Sequence, residues 1–329
     1  MTVEEEKLER AIRLDEESLV QLESGCLEGA ERACRAALEL FQELDGPRHP
    51  DGANLLQRLS SILQARSCYR EAETCAARAV AIMDEVAATV ESRDIAVIHI
   101  ESLRQWASAL RQLARYEEAE SLARRAVEMA AADRDRALLI GALNELGVLC
   151  KYSGQFEEGR HVYLRALGLA IALYGELHPS VATIYHNLGG LEHARGDFAA
   201  GEPPARHACE IRRQLVGPDH PDTLADECAW AGLLDGLERY PESRPIYERA
   251  LRIFERHYGP DHFEMAATLH NLAAVDAAEG DREVAAARAA RALSIKEKLF
   301  GRDHPESLGT AALLAAILQA CGNRCPPLP

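Results

Sequence analysis

Aromatic residues are scarce in this chain, where they make up 5% of 329 residues. Packing must therefore rely on Ala, Leu, Val and Ile, which favours helices that approach each other closely. No stretch reaches the roughly 18 consecutive apolar residues of a membrane span, and the acidic first residues do not resemble a secretion signal. These absences predict a cytoplasmic protein without a membrane partner.

The residue patterns of several enzyme classes are also missing. The sequence contains no Gly-rich phosphate loop, no nucleophile elbow and no His-Glu-x-x-His pair. A net charge of −16 disfavours nucleic acid, because its phosphates would repel the chain at long range. We therefore expect no catalysis, no metal, no cofactor and no nucleic-acid partner.

The nine cysteines indicate a reducing compartment, because most of them lie within apolar helical patterns. Cys321 and Cys325 could form a redox or metal element, but no second Cys/His pair at zinc-ligand spacing stands nearby. Five of the other seven are predicted to be small buried side chains. This buried group comprises Cys34, Cys75, Cys150, Cys209 and Cys228.

The chain is rich in one repeated pattern, in which a small residue is followed seven positions later by Ala and three further on by an aliphatic residue or Met. Successive Ala positions differ by 42, 47, 40, 42, 42 and 42 residues, and such a period is typical of a helical solenoid. The small residues are Ala30, Ala72, Ala119, Gly159, Gly201, Ser243 and Ala285, and the alanines are Ala37, Ala79, Ala126, Ala166, Ala208, Ala250 and Ala292.

Each repeat is predicted to be a helical hairpin. In the repeat that begins at Pro179, one apolar stripe predicts helix A and a second, from Phe198 to Ile211, predicts helix B. Gly217 is expected to end helix B in the left-handed conformation. We predict one domain over residues 1–320, a tail at 321–329, and a longer helix or a distorted joint in the third repeat. The predicted helix pairs are about 4–44, 51–88, 92–131, 135–173, 179–216, 221–258 and 263–300, with a capping helix at 305–320.

Four histidines are spaced by 42 residues, which could suggest a metal array: His178, His220, His262 and His304. Equivalent positions of stacked helix pairs are separated by at least roughly 8–10 Å, far more than a metal–nitrogen bond allows. We therefore predict that these residues, and His49 with them, act in the turns.

The residues from Tyr240 to Ile253, Tyr258 to His262 and Thr268 to Leu272 resemble tetratricopeptide repeats of the lengthened 42-residue type found in kinesin light chain and its bacterial relatives. The resemblance covers nearly the whole chain. It implies an all-α, right-handed α-α superhelical solenoid of about seven helix pairs plus the capping helix. It further implies that the A helices line a concave groove, and Ala- and Arg-rich usage suggests a bacterial source.

In this family an Asn before the repeat's Leu grips the backbone of a bound peptide, and Asn187 and Asn271 match that position. The match is partial, because the other repeats hold different residues there. An Asn that bonds only within the solenoid remains the alternative. The same helical face projects a basic and amide-rich N-terminal half that comprises Asn54, Gln57, Arg58, Arg104, Gln105, Arg111, Asn144 and Lys151. Its C-terminal half offers His186, Asn187, His193, His270 and Asn271.

The arginines favour an acidic or C-terminal carboxylate-bearing peptide, although they could instead pair with neighbouring acidic residues. The sixth repeat is predicted to be nearly bare on this face and to accept an apolar side chain. His186 and His193 lie two turns apart, roughly 10 Å, so we expect them to line the groove rather than to share a metal.

Three functions stay open at this point. The first is a non-catalytic scaffold that binds a protein or peptide in the groove. The second is a peptide-sensing regulator, and the third is an enzyme or accessory protein that holds a small molecule near His186, His193 and His270. The oligomeric state is open as well.

Overall fold

The structure is a computed structural model that describes residues 2–24, 26–46, 48–66, 68–133 and 135–322. Within these ranges the chain forms fifteen α-helices and no strand, so the all-α prediction is confirmed. The described residues form two compact units, one that ends at Gln155 and one that begins at Phe156. The single domain expected from the repeat stays a prediction.

Odd-numbered helices are A helices and even-numbered helices are B helices in both units. The first unit contains α1 (Val3–Glu23), α2 (Leu27–Asp45), α3 (Pro50–Ala65), α4 (Tyr69–Ala87), α5 (Arg93–Gln112), α6 (Tyr116–Asp133) and α7 (Arg136–Tyr152). The second contains α8 (Phe156–Tyr174), α9 (Pro179–Arg195), α10 (Phe198–Val216), α11 (Pro221–Gly236), α12 (Tyr240–Tyr258), α13 (Phe263–Glu279), α14 (Arg282–Phe300) and α15 (Pro305–Gly322). The predicted pair 135–173 is therefore divided between the units.

The small residues of the repeat lie in the helix contacts. All seven alanines are 0% exposed, and the seven small residues that precede them are buried too. At Gly201 of α10 an added Cβ would stand 2.6 Å from Leu233 Cδ2 of α11, so that contact accepts no side chain. Close helix approach thus replaces the packing that the missing aromatic residues would otherwise supply.

The periodic histidines begin A helices, as their predicted turn role requires. Each Nδ1 accepts a hydrogen bond from the backbone N–H two residues later, at 3.3 Å for His49 and 3.2 Å for the others. An imidazole must be unprotonated at Nδ1 to cap a helix in this way. Three also stack on an aromatic ring that ends the preceding B helix, with centroid distances of 4.1 Å (Tyr174–His178), 4.1 Å (Tyr258–His262) and 4.7 Å (Phe300–His304).

Two details of the helix ends bear on the sequence predictions. Gly217 has φ 91° but ψ 166°, so it is not left-handed as expected, because the chain leaves α10 in an extended conformation. The left-handed glycine instead ends an A helix, at Gly196 with φ 85° and ψ 6°, where the chain turns back at once into helix B. In the third repeat, α5 has 20 residues against 16 in α3, which is the expected longer helix.

The cysteines that the structure describes are free thiols. Cys34, Cys150, Cys209 and Cys228 are buried as predicted, and burial raises the pKa of Cys34 to about 12. Cys75 is only partly buried, which corrects its prediction. Cys325 and the side chain of Cys321 lie outside the described residues.

Candidate ligand-binding faces of the A helices

The three arginines predicted to make the first unit basic each stand beside a carboxylate. Arg58 pairs with Asp15 of α1, and burial lowers the pKa of its guanidinium. Arg104 and Arg111 are paired as well, with Glu101 and Glu145 respectively. Arg104 Nη1 lies 2.5 Å from Glu101 Oε1, and Arg111 Nε lies 3.3 Å from Glu145 Oε1. The expectation of a basic face is therefore wrong, and the alternative, pairing within the chain, is confirmed.

The glutamines of the first unit join neighbouring A helices. The Gln57 amide donates to Ile98 O at 2.7 Å and to Ser102 Oγ at 2.6 Å, and the side chain is buried. Gln105 Oε1 accepts from Gln64 Nε2 at 3.2 Å. These hydrogen bonds satisfy the amides at the contact between α3 and α5, as buried polar groups require. They hold the helices together, and Gln57 has little surface left for a ligand.

The other predicted residues of the first unit differ in exposure. Asn54 is exposed near the start of α3, whereas Asn144 and Lys151 are half-buried on α7. Lys151 Nζ lies 4.8 Å from the centroid of the Tyr152 ring, which is within cation–π range. The roles of Asn54, Asn144 and Lys151 as ligand contacts stay predictions.

A buried carboxylate on α11 organises the N-terminal part of the second unit. Asp226 Oδ2 accepts from Arg212 Nε of α10 at 3.0 Å, and Asp226 Oδ1 lies 2.8 Å from His186 Nδ1 of α9. The neighbouring Glu227 pairs with Arg213 at 2.6 Å and also with Arg249. Both carboxylates are under 5% exposed.

The small residues of the sixth repeat, Ala225, Ala229 and Gly232, are half-buried on this face, so the predicted bare section stays a prediction. Cys228 is 7% exposed, and an added Cβ at Gly232 would lie 3.5 Å from His193 Nε2. The projected face missed Asp226 and Glu227. Their signal was present in the sequence, because other repeats hold mainly apolar residues, Ser or Thr at these positions.

A partly buried carboxylate engages one of the predicted asparagines indirectly. Asp235 accepts a hydrogen bond from Tyr247 Oη at 2.7 Å and another from Ser243, and burial raises the pKa of its carboxyl group. Asn271 in turn hydrogen-bonds to the Tyr247 hydroxyl. Asn271 thus bonds within the chain, as its alternative role required, while Asn187 is half-buried on α9.

One side-chain contact recurs at the same repeat positions between successive A helices. It joins the residue before the Asn position to a residue on the next A helix. The pairs are Gln57–Ser102 at 2.6 Å, His186–Asp226 at 2.8 Å, Cys228–Thr268 at 3.9 Å and His270–Thr310 at 3.0 Å. In α5 the equivalent residue is Arg104, whose guanidinium lies against Gly141 of α7.

His270 and Asn271 line a cavity of about 400 Å³ between α13, α14 and α15. Burial, with Lys296 as a further cause, lowers the pKa of His270 to about 4, so its imidazole is neutral at pH 7. Lys296 is buried and donates to Glu306 Oε2 at 2.7 Å. The cavity wall is formed by Phe263, Ala267, His270, Asn271, Lys296, Pro305, Glu306, Gly309 and Thr310.

The family model for the tetratricopeptide repeat matches residues 18–85, 138–214 and 226–298, more than half of the chain. The chain therefore belongs to the tetratricopeptide repeat family, and the family expected from its residues is confirmed. Among the described residues, no helix is long and apolar enough to cross a membrane. Within the same residues, no three His, Cys, Asp or Glu side chains are grouped to hold a metal ion.

The chain is similar to the clustered mitochondria protein homologs of two fungi. It is 28% identical over 186 residues to that of Coccidioides immitis (strain RS), which covers 44% of this chain and 14% of the relative. It is 27% identical over 186 residues to that of Ajellomyces capsulatus (strain NAm1 / WU24), which covers 44% of this chain and 15% of the relative. The chain thus spans a small part of these proteins, and the bacterial source stays a prediction.

Three solved structures share the fold. BtubC (BKLC) from P. vanneervenii is 24% identical with a TM-score of 0.55, covering 78% of this chain and 93% of its own. The apo form of RapI is 13% identical with a TM-score of 0.67, covering 88% and 98%. The Rap conjugation gene regulator of plasmid pLS20, solved with the Phr* peptide, is 12% identical with a TM-score of 0.63, covering 86% and 72%. These likenesses confirm the helical-repeat fold.

Proposed function

We propose that this chain is a non-catalytic cytoplasmic scaffold that binds a protein segment or peptide on the A-helix face of its second unit. The observation that carries this proposal is the cavity between α13, α14 and α15, because it is lined by two of the residues predicted to contact a ligand, His270 and Asn271. Helical repeats supply extended surfaces of this kind rather than reaction chemistry.

The ion pairs argue against a binding site on the first unit. Arg58, Arg104 and Arg111 already have carboxylate partners, so a peptide would have to displace those partners to use them. The second unit presents His186, Asn187 and His193 on α9, and the cavity lies beyond α11. The peptide-bound Rap regulator of pLS20 has a similar fold, which makes a peptide a reasonable ligand class to test.

A steric block on α13 tests the proposal. Ala274 is exposed and lies one helical turn after His270, so Ala274→Trp should fill the face beside the cavity. Ala290 is exposed on the B helix α14, and Ala290→Trp makes the same substitution away from that face. Peptides selected from a random displayed library on the full chain serve as ligands.

We expect Ala274→Trp to weaken binding of the selected peptides at least tenfold while Ala290→Trp leaves the affinity unchanged. Equal affinities of both variants and the wild type would show that the A-helix face of α13 is not the binding site. Far-UV circular dichroism of both variants controls for folding.

A peptide-sensing regulator is the second candidate, favoured by the likeness to a conjugation gene regulator. In that case a selected peptide should also change the dimensions of the chain. Small-angle scattering with and without the peptide measures this, and unchanged dimensions argue for a static scaffold.

A further inference from the structure

The second unit contains two versions of one side-chain arrangement, separated by two repeats or 84 residues. In the first version, Arg212 of the B helix α10 reaches Asp226, which lies against His186 at the contact between α9 and α11. The residues 84 positions later are Lys296 of α14, His270 of α13 and Thr310 of α15. The cation and the imidazole recur, whereas the carboxylate of Asp226 is replaced by the hydroxyl of Thr310.

The first version is complete within the chain. The Asp226 carboxylate lies between the two nitrogen groups, 3.0 Å from Arg212 Nε and 2.8 Å from His186 Nδ1. The Arg212 side chain is 13% exposed and that of Asp226 is 5% exposed. A buried cation is thus neutralised by an internal anion, as buried charges require.

The second version has a cavity beside its cation. Lys296 is 5% exposed and has one described carboxylate contact, with Glu306, whose side chain is 38% exposed. An ammonium group has three N–H donors, and Glu306 accepts one of them. The cavity of about 400 Å³ is lined by Lys296, His270 and Thr310 together.

The hydrogen bonds also define the state of His270. The Thr310 hydroxyl donates to Glu306 O at 3.1 Å, so its oxygen is left to accept from His270 Nδ1 at 3.0 Å. A neutral imidazole with its proton on Nδ1 has an unprotonated Nε2. His270 can therefore take up a proton at Nε2 when an anion approaches.

We propose that this cavity binds the carboxylate of an Asp or Glu side chain of the partner segment, which pairs with Lys296 and with Nε2 of His270 and so supplies the anion that Asp226 supplies in the first version. This inference rests on the proposed function and specifies its ligand. At a pH below the raised pKa of His270, the bound site contains two cations and two carboxylates, because His270 Nε2 has taken up one proton from solvent. Glu306 remains paired with Lys296, and the exposed part of its carboxylate is hydrated by solvent.

The charges around His270 determine the expected pH dependence. Lys296 on α14 disfavours its protonation and Glu306 on α15 favours it, while Thr310 on α15 is neutral. A bound carboxylate adds a second negative charge close to the ring. Binding should therefore raise the pH at which His270 titrates, and it should strengthen as the pH falls toward that raised value.

The experiment follows the His270 ring by proton–carbon NMR in the full chain, with its signal identified by its loss in His270→Asn. The probes are the capped peptides acetyl-Gly-Gly-Asp-Gly-Gly-amide and its Asn counterpart, together with pentaglycine that carries a free C-terminal carboxylate. The Asp probe should raise the titration midpoint of His270 by about one pH unit or more. The Asn probe should leave it unchanged.

Two variants complete the test. Thr310→Asp supplies the missing carboxylate within the chain, so it should raise the His270 midpoint without a probe and remove the response to the Asp probe. Thr310→Asn is its neutral match and should do neither. Lys296→Met should remove the response without supplying an anion, and it keeps the test valid if Thr310→Asp does not fold.

An unchanged His270 midpoint with the Asp probe would overturn the proposal, and so would a response that survives in Lys296→Met. A response to pentaglycine alone would overturn the assignment to a side chain in favour of a C-terminal carboxylate. The outcome is separable from the proposed function, because Ala274→Trp can block selected peptides whether or not His270 responds to carboxylate.

Discussion

Lys296 and Glu306 form an ion pair whose partners differ in burial, and this difference predicts unequal costs for removing them. Their side chains are 5% and 38% exposed respectively. Glu306→Gln leaves a buried ammonium without its carboxylate, whereas Lys296→Met leaves a carboxylate that can turn to water. Breaking a buried pair by removing one partner costs roughly 3–5 kcal/mol, and an exposed pair contributes about 0–1 kcal/mol.

The expected losses of unfolding free energy follow from these limits. For Glu306→Gln we expect about 2 kcal/mol, less than the buried limit because the cavity admits water and the amide still accepts a hydrogen bond. For Lys296→Met we expect about 0–1 kcal/mol, because an apolar side chain of similar length fills the buried position. The double variant should resemble Lys296→Met, since no buried charge remains.

Urea denaturation followed by fluorescence measures these losses. The chain has two tryptophans, and a Trp106→Phe background leaves Trp230 on α11 as the reporter of the second unit. The denaturation slope must stay constant for the midpoints to report stability. Equal losses in the two single variants, or a larger loss in Lys296→Met, would refute the burial argument.

Three further predictions concern the repeat itself. Ala250→Leu should cost about 1–3 kcal/mol by overpacking, while Ala290→Leu at an exposed site changes stability by less than about 0.5 kcal/mol in the same denaturation assay. His178→Ala should cost about 1 kcal/mol through the lost helix cap, and His178→Asn, which retains an acceptor, should recover most of the loss of melting temperature. Because the pKa of His270 is lowered to about 4, the stability that its neutral form contributes is present above pH 6.5 and is lost as the pH falls toward 4, by on the order of 2–3 kcal/mol. His270→Asn should remove that part of the acid loss, and identical pH profiles would contradict it.

The helices and their contacts were largely predictable because the same residue pattern recurs in every repeat. Ala208 and its equivalents recur with a fixed spacing, and a side chain that must fit between two backbones leaves few choices of residue. The capping histidines were predictable for a similar reason, since a histidine at the start of an A helix, in most copies before Pro, has a local geometric role.

The ion pairs could not be predicted in the same way, because they join residues that are distant in sequence. Arg58 pairs with Asp15, 43 residues earlier, and which acidic residue a guanidinium reaches depends on the packing of two separate helices. Asp226 was predictable in part. A carboxylate at a position that is apolar in another repeat needs a buried cation, but the sequence did not identify Arg212 as that cation.

The recurring contact between A helices explains where a ligand can bind while breaking the fewest interactions within the chain. Between α9 and α11 the contact joins His186 to Asp226, and a ligand would have to break the buried ion pair of Asp226 with Arg212 there. Between α13 and α15 it is the neutral pair His270–Thr310, beside a cavity and a buried ammonium. A ligand carboxylate adds an interaction at this second place without removing one. The same position in the repeat therefore stabilises the helix contact in one copy and is suited to bind an acidic side chain in the other.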